Sequence, residues 1–529
     1  MTDPAAGTKA HAGVRRFAVL DLGSTTFQLL VADADEEGSL TPVVRDRVVL
    51  NLGLLLAETG EIAIDVAERA AGAARRLRDI AVRSGADEIL PIATSALRDS
   101  PNREELASLL EEAVGMPAAF IDGREEARLT FAGVRASVAL EPGPALLLDL
   151  GGGSLEVALA DESGLAWGVS LPVGAGRMTG LLVHSDPPSR AERKAVRAAV
   201  EEAIESVAGD VAPIGVHRCV ASGGTAGALA RLLAARRWST PPASLNQYTV
   251  EVDRLKDLTN ELAGLSLAQR LRLPGIDVRR AELLPAGGWI LTTAASALGM
   301  RELVHSEWGL REGVILDALG LADLPAPQPL ELRRRSVERL VRDWGEDPRH
   351  VGLVARLAIG MFDALEDLHG FGDRDRELLA HAARLHEIGT RISPARYHKH
   401  GAYLLENAGL RGFDPDEIGV MASVVRFQRG KDPRSVYPPF AELADRDRDR
   451  AVTLTAVLRV AHAIGRGDEP ETLEVEVTVG PEAVRVEAIG STNPDAVVEE
   501  ARDAAALLER TLGRPVEIGS RMSTDPVEV

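Results

Sequence analysis

The chain has 529 residues, room for three or four domains at roughly 100–200 residues each, and its 45% hydrophobic and 26% charged residues are ordinary for a globular protein. With 60 Lys and Arg against 80 Asp and Glu the net charge is −20, which argues against nucleic acid or an acidic membrane surface as partner. A single cysteine, Cys219, excludes an internal disulfide framework and a Cys-rich zinc site, and its apolar neighbours mark it as a buried, inert thiol.

Residues 1–15 are small and polar, without the apolar stretch of a signal peptide, and read as a disordered N-terminus. No run approaches the ~20 apolar residues of a membrane span, so the expected location is the cytoplasm. An internal echo follows. Residues 19–33 (VLDLGSTTFQLLVAD) align without gaps on 147–161 (LLDLGGGSLEVALAD). Each copy has an apolar strand, an aspartate, a Gly/Ser/Thr turn and an alternating strand, which is a hairpin pattern. Two copies predict two similar α/β lobes, at 16–135 and 136–322.

In the first lobe the periodicity predicts helices at 61–84 and 101–114 and short strands at 88–93 and 118–122. In the second it predicts a helix at 189–208, a strand at 217–222, a helix at 224–235 opened by a Gly/Thr turn, and helices at 281–297 and 310–321. Three prolines within 325–329 mark a linker at 323–330. Residues 331–466 read as helical, and their charges nearly balance, with 22 basic and 21 acidic residues over 331–460. Alternation at 472–479 and 483–488, a helix at 493–512 and a strand at 516–518 predict a small α+β module over 467–529.

The segments Asp-Leu-Gly-Ser-Thr-Thr (21–26) and Asp-Leu-Gly-Gly-Gly-Ser (149–154) suit phosphate handling. Glycines let backbone N–H groups approach an anion, Ser and Thr add hydroxyl donors, and an aspartate at a strand end suits Mg²⁺. The same residues also serve plain turn geometry, but two aligned copies favour a two-sided phosphate clamp. The pair Glu125-Glu126 reads either as a helix-start pair favoured by the macrodipole or as a catalytic carboxylate whose pKa is raised among phosphates. Arg98 is either a surface arginine or a bidentate phosphate ligand.

The duplicated hairpins resemble the actin, sugar kinase and Hsp70 ATPase superfamily. Further segments narrow the resemblance: ATSALRDSPN at 93–102, IDGREEARL at 121–129, SLPVGA at 170–175 and GLREG at 309–313. Together they resemble the exopolyphosphatase / guanosine pentaphosphatase (Ppx/GppA) family, in its long form. The resemblance implies two actin-like (ribonuclease H-like) α/β lobes, an all-α HD-like domain and a small α+β terminal module. It implies that Glu126 activates the attacking water. It further implies that Gly23, Ser24, Thr25, Arg98, Gly151, Gly152, Gly153, Ser154, Gly224 and Thr225 bind phosphate, and that Asp21, Asp149 and Glu156 hold Mg²⁺ or Mn²⁺. The implied substrate is inorganic polyphosphate, with guanosine pentaphosphate as the alternative; a non-catalytic polyphosphate or alarmone sensor and an ATP-dependent kinase fit less well, and a homodimer is allowed. Two departures stand out. The family's usual Gly-Thr-x-Gly-Thr reads Ala-Ser-Gly-Gly-Thr at 221–225, and Gln28 stands where many members carry arginine.

A second candidate site is His386-Glu387, with His350 upstream and His398, His400 and His462 downstream. HD phosphohydrolases bind metal through His, His-Asp and a late Asp. Here Glu387 replaces the first Asp and His462 falls near the place of the late one, so the reading favours a structural or polymer-binding remnant over a working metal site. The basic residues Arg426, Arg429, Lys431 and Arg434 form either a solvated loop or a track for a polyanion.

Overall fold

The apolar run ahead of each Asp-Leu-Gly turn becomes the central strand of a sheet. The computed structural model describes residues 13–344, 347–466, 474–490 and 495–522; most of the expected disordered segment, residues 1–12, lies outside them. The first sheet contains β1 (Arg15–Leu22), β2 (Thr26–Ala34), β3 (Leu40–Val49), β4 (Glu88–Ala93) and β5 (Ala119–Phe120), in the order β3-β2-β1-β4-β5. The second contains β6 (Ala145–Leu150), β7 (Leu155–Asp161), β8 (Gly164–Leu171), β9 (Arg218–Ser222), β10 (Thr249–Glu251) and β11 (Glu302–His305), in the order β10-β11-β9-β6-β7-β8. In both, an antiparallel three-strand meander continues through its first strand into two parallel strands. The echo in the sequence is therefore an echo of topology. It extends to register, with Asp21 opposite Gln28 and Asp149 opposite Glu156.

Helices cover the sheets with their apolar faces. Helix Ile64–Arg83 buries an alanine-rich stripe ending in Leu77 and Ala81. Helix Arg190–Val211 starts at a capping box: Glu192 N–H donates to Ser189 Oγ at 3.3 Å, and Ser189 N–H to the Glu192 carboxylate at 2.6 Å. Leu284–Ala297 is apolar all round and buried along most of its length. One helix that the sequence does not signal is Leu52–Thr59, where a continuous Leu run carries no 3.6-residue period. The last helix of this unit ends at Ala318, short of the expected 321.

Helix Gly123–Arg135, which the sequence reading counts with the first lobe, packs on β7 and β8 of the second sheet, while Leu310–Ala318 packs on β1 of the first. The two helices cross with backbones in contact. A Cβ on Gly133 would overlap the Gly309 carbonyl oxygen, and one on Gly313 the Leu129 carbonyl oxygen. Only glycine permits that approach, and rigid backbone cannot give way. Gly313→Ala is therefore expected to cost about 1–3 kcal/mol or more, read as a lowered thermal midpoint; an unchanged midpoint would mean that the crossing is soft.

The chain divides into two compact units, one running to Arg237 and resuming over Leu245–Leu332, the other made of Trp238–Ser244 and Arg333–Val529. At the end of the first unit, Pro329 supplies the first helical position of Pro329–Trp344, which runs on into the second, so the linker is two residues shorter than expected. Further helices run over Pro348–Ala364, Asp373–Arg384, Tyr397–Asn407, Pro415–Phe427 and Asp445–Ile464. β12 (Glu474–Val479), β13 (Val484–Gly490) and β14 (Val516–Met522) form a sheet in that order, backed by helix Asp495–Leu512. Residues such as Val486, Ala501 and Leu508 join Leu357, Val424 and Leu454 in one hydrophobic core, so helices and terminal sheet share an interior. Within it Arg333, 1% exposed, is paired with Glu377 at 3.0 Å and Glu417 at 2.8 Å and lies over Phe413. Among the described residues no helix is long and apolar enough to cross a membrane.

Candidate active site

The two glycine hairpins meet. A Cβ on Gly152 would overlap Thr25 Oγ1, and one on Gly153 would overlap Ser95 Oγ and stand 2.5 Å from Ser24 Oγ. Glycine at these positions lets one turn rest on the other. Ser24 Oγ lies 3.1 Å from Ser95 Oγ and accepts the Ala96 N–H at 3.0 Å. The hairpins open into a cleft of about 690 Å³ in the first unit.

Of the residues the sequence singles out, Asp21, Gly23, Ser24, Thr25, Glu126, Asp149, Gly151, Gly152, Gly153, Ser154, Glu156 and Gly224 line this cleft. Arg98 and Thr225 do not. Arg98 stands behind Glu126, donating from Nη1 to Glu126 Oε2 at 3.4 Å and to the Ile121 carbonyl at 2.9 Å, with Nε on Asp99. Thr225 is buried beneath the turn against Gly287. Gln28 donates to Asp21 Oδ2 at 3.3 Å. It is the counterpart of Glu156, so the first hairpin carries one carboxylate and the second carries two.

Glu126 sits in the first turn of helix Gly123–Arg135, whose N-cap Asp122 accepts the Glu125 N–H. Glu125 itself is tied to Arg128 on the outside. Burial, then repulsion from Glu156, lifts Glu126 well above the usual carboxylate range, against the pull of Arg98. Burial, then Asp149, raises Glu156 to about 7, and Ser170 donates to its Oε1 at 2.7 Å. Burial raises Asp21 to about 6, opposed by Arg311 and helped by Asp149. Burial also raises Asp149, although Ser222 donates to it at 2.7 Å. Four carboxylates, three buried and Asp149 half-buried, thus share one cleft, each with a raised proton affinity that a bound cation would oppose.

The cleft wall carries residues to which the sequence reading gave no role: Arg45, Arg47, Arg231, Arg279, Arg280 and Arg311. Arg45 reaches Glu312 at 3.3 Å and Arg47 reaches Asp277 at 3.0 Å. Burial, then Arg47, lowers Arg280 to about 10. Arg311 lies inside the GLREG segment, which was a visible signal; the others come from segments with no motif.

The second unit gathers His350, His386, Glu387 and His462, whose ligand atoms lie within 4.8 Å of one another. His398 and His400 lie outside this group. Burial, then His462, lowers His386 to about 3, so it stays neutral. Arg429, Lys431 and Arg434 are exposed, and Arg426 and Arg429 lie over the rings of Tyr437 and Tyr397. Cys219 is buried, and burial raises its thiol.

A model described as the Ppx/GppA phosphatase family matches residues 30–322, and one described as Ppx/GppA phosphatase, domain III, matches 332–488. Exopolyphosphatase 1 of Mycobacterium tuberculosis is 32% identical over 334 residues, spanning 63% of this chain and 96% of that protein. The guanosine-5'-triphosphate,3'-diphosphate pyrophosphatase of Aeromonas hydrophila is 27% identical over 446 residues, spanning 84% of this chain and 86% of its own length. The crystal structure of an exopolyphosphatase from Cytophaga hutchinsonii shares the fold, with a TM-score of 0.54 at 23% identity over 58% of this chain and 98% of that one.

Proposed function

The chain belongs to the Ppx/GppA phosphatase family, and from that premise we propose that it is an exopolyphosphatase that hydrolyses terminal phosphate from inorganic polyphosphate. The observation that carries this reading is the cleft itself: a buried Glu126 of raised proton affinity beside two glycine hairpins, with arginines along the wall beyond. Backbone N–H groups of 152–154 and the Ser24 and Ser154 hydroxyls hold the terminal phosphate, while the Gly151 N–H closes the turn on the Ser154 carbonyl at 3.1 Å. Glu126 takes a proton from water as its oxygen bonds to phosphorus; the bridging P–O bond breaks and the shortened chain leaves. Arg98 positions Glu126 through Oε2. Positioning and charge do most of the work, as in phosphoryl transfer generally.

The donor set fits a hard divalent cation. Asp21, Asp149 and Glu156 offer only oxygens; Asp21 and Glu156 are buried, Asp149 is half-buried, and Asp149 repels both of the others until neutralised. They would hold Mg²⁺ or Mn²⁺, which when bound offsets charge on the scissile phosphoryl group.

A second reading, hydrolysis of guanosine pentaphosphate, draws on the Aeromonas relative, whose match continues into the second unit. Phosphate release from long polyphosphate, short polyphosphate and guanosine pentaphosphate, assayed side by side with Mg²⁺, separates the two. Long polyphosphate is expected to give the highest kcat/KM, because several arginines lie beyond the terminal-phosphate pocket. A higher value for the nucleotide would reverse the order, and release from none of them would remove the proposal.

A further inference from the structure

We propose that His350, His386, Glu387 and His462 form a binding site for one divalent transition ion of the zinc class, separate in kind from the oxygen-only set of the cleft. The four residues come from three places in the second unit: the start of helix Pro348–Ala364, the turn after Asp373–Arg384, and the last turn of Asp445–Ile464. Glu387 is the hub. Its carboxylate lies 3.6 Å from His350 Nε2, 3.9 Å from His386 Nε2 and 3.5 Å from His462 Nε2. An ion with bonds of about 2.0–2.1 Å needs its ligand atoms roughly 3.3 Å apart, so small side-chain rotations suffice.

The second observation is the state of the imidazoles. His386 is completely buried, and its Nδ1 lies 2.6 Å from the Ala383 carbonyl oxygen. A carbonyl only accepts, so Nδ1 carries the proton and Nε2 presents its lone pair to the cluster. That Nε2 has no hydrogen-bond partner, and neither does Nε2 of His462, a residue 6% exposed. The buried, acceptor-only His386 Nε2 left unpaired is costly unless something occupies the point it faces. A backbone carbonyl fixing the far nitrogen is the usual outer support of a metal-bound histidine. Gln428 adds to it by donating to the His386 carbonyl.

The donors decide the ion. Three imidazoles and one carboxylate suit Zn²⁺ and its neighbours, whereas Mg²⁺ takes oxygen ligands and keeps its waters. The ion would also pin three helical segments far apart in sequence, so its binding is in part folding energy of this unit.

The test uses the full chain, stripped with chelator and titrated with Co²⁺ as a spectroscopic probe and with Zn²⁺ in competition. One equivalent of Co²⁺ is expected to give visible d–d absorption, to be displaced by Zn²⁺, and to resist a thousandfold excess of Mg²⁺. His350→Ala with His462→Ala is expected to weaken binding by about 100-fold or more; with the cleft kept filled by excess Mg²⁺, Zn²⁺ is expected to raise the thermal midpoint only in the wild type. His462→Gln, milder in shape, guards against misfolding and is expected to lose the absorption while keeping its circular dichroism. Glu126→Gln is expected to bind Co²⁺ like the wild type, so a failure of the proposed hydrolysis leaves this inference standing. A stripped wild-type chain that takes up no Co²⁺, a double variant that binds as tightly, or displacement by Mg²⁺ would each overturn it.

Discussion

Glu126→Gln is expected to lower kcat for phosphate release by about 10²–10⁴-fold, the usual worth of a positioned general base, with polyphosphate binding largely kept. The amide matches the carboxylate in shape, so the Oε2 position facing Arg98 at 3.4 Å can still be filled by an oxygen. What is lost is the capacity to take the proton from water. The environment makes that capacity useful, because burial and Glu156 raise the affinity of Glu126 for a proton. Binding should not suffer, since removing one negative charge from a cleft that also holds Asp21, Asp149 and Glu156 lessens repulsion of an anionic substrate. The measurement is steady-state phosphate release together with equilibrium binding of long-chain polyphosphate to the same preparation. If KM rises while kcat stays near wild type, Glu126 only shapes the field of the cleft and the base lies elsewhere.

The two hairpins were legible because their chemistry is local. Asp, Gly and hydroxyl residues sit within six positions of each other, and the repeat at 19–33 and 147–161 announces two lobes. Glu126 was legible only through resemblance, since nothing in a Glu-Glu pair says which member turns inward. The structure answers by helix geometry: Glu125 lies against Arg128 outside, while Glu126 points into the cleft. The arginine wall was not legible. Arg45 and Arg47 lie on a strand, Arg279 and Arg280 in a turn more than 230 residues later, and only the packed lobes bring them to one cavity. The helix exchange was hidden for the same reason, because the glycines that permit it, Gly133 and Gly313, mean nothing until their facing carbonyls are known. Arg98 and Thr225 show the converse: a motif residue can support the site from behind without lining it.

A cation-free cleft should be less stable at higher pH, and replacing its carboxylates should expose this. Asp21 is raised to about 6 and Glu156 to about 7, so the folded chain still holds protons that the unfolded chain, titrating near the ordinary 3.8 and 4.5, has released. The folded state binds more protons between about pH 4 and 7, and stability falls as pH rises through that window. The scale is on the order of 3 kcal/mol per group. The second unit pulls the other way, because His386, held neutral down to about 3, gains stability as pH rises from there towards 6.5. The comparison must therefore be a difference between wild type and the Asp21→Asn, Glu156→Gln variant, which changes the cleft alone. Without divalent cation the variant is expected to gain on the wild type between pH 5 and pH 7.5, read as thermal midpoints after chelator treatment. Adding Mg²⁺ at pH 7.5 should then raise only the wild type, by about 2.7 kcal/mol at a hundredfold excess over Kd, because only it keeps the full set of carboxylates to hold the ion. Equal pH slopes in the two proteins, or equal responses to Mg²⁺, would mean that these carboxylates neither repel one another in the folded chain nor hold the cation.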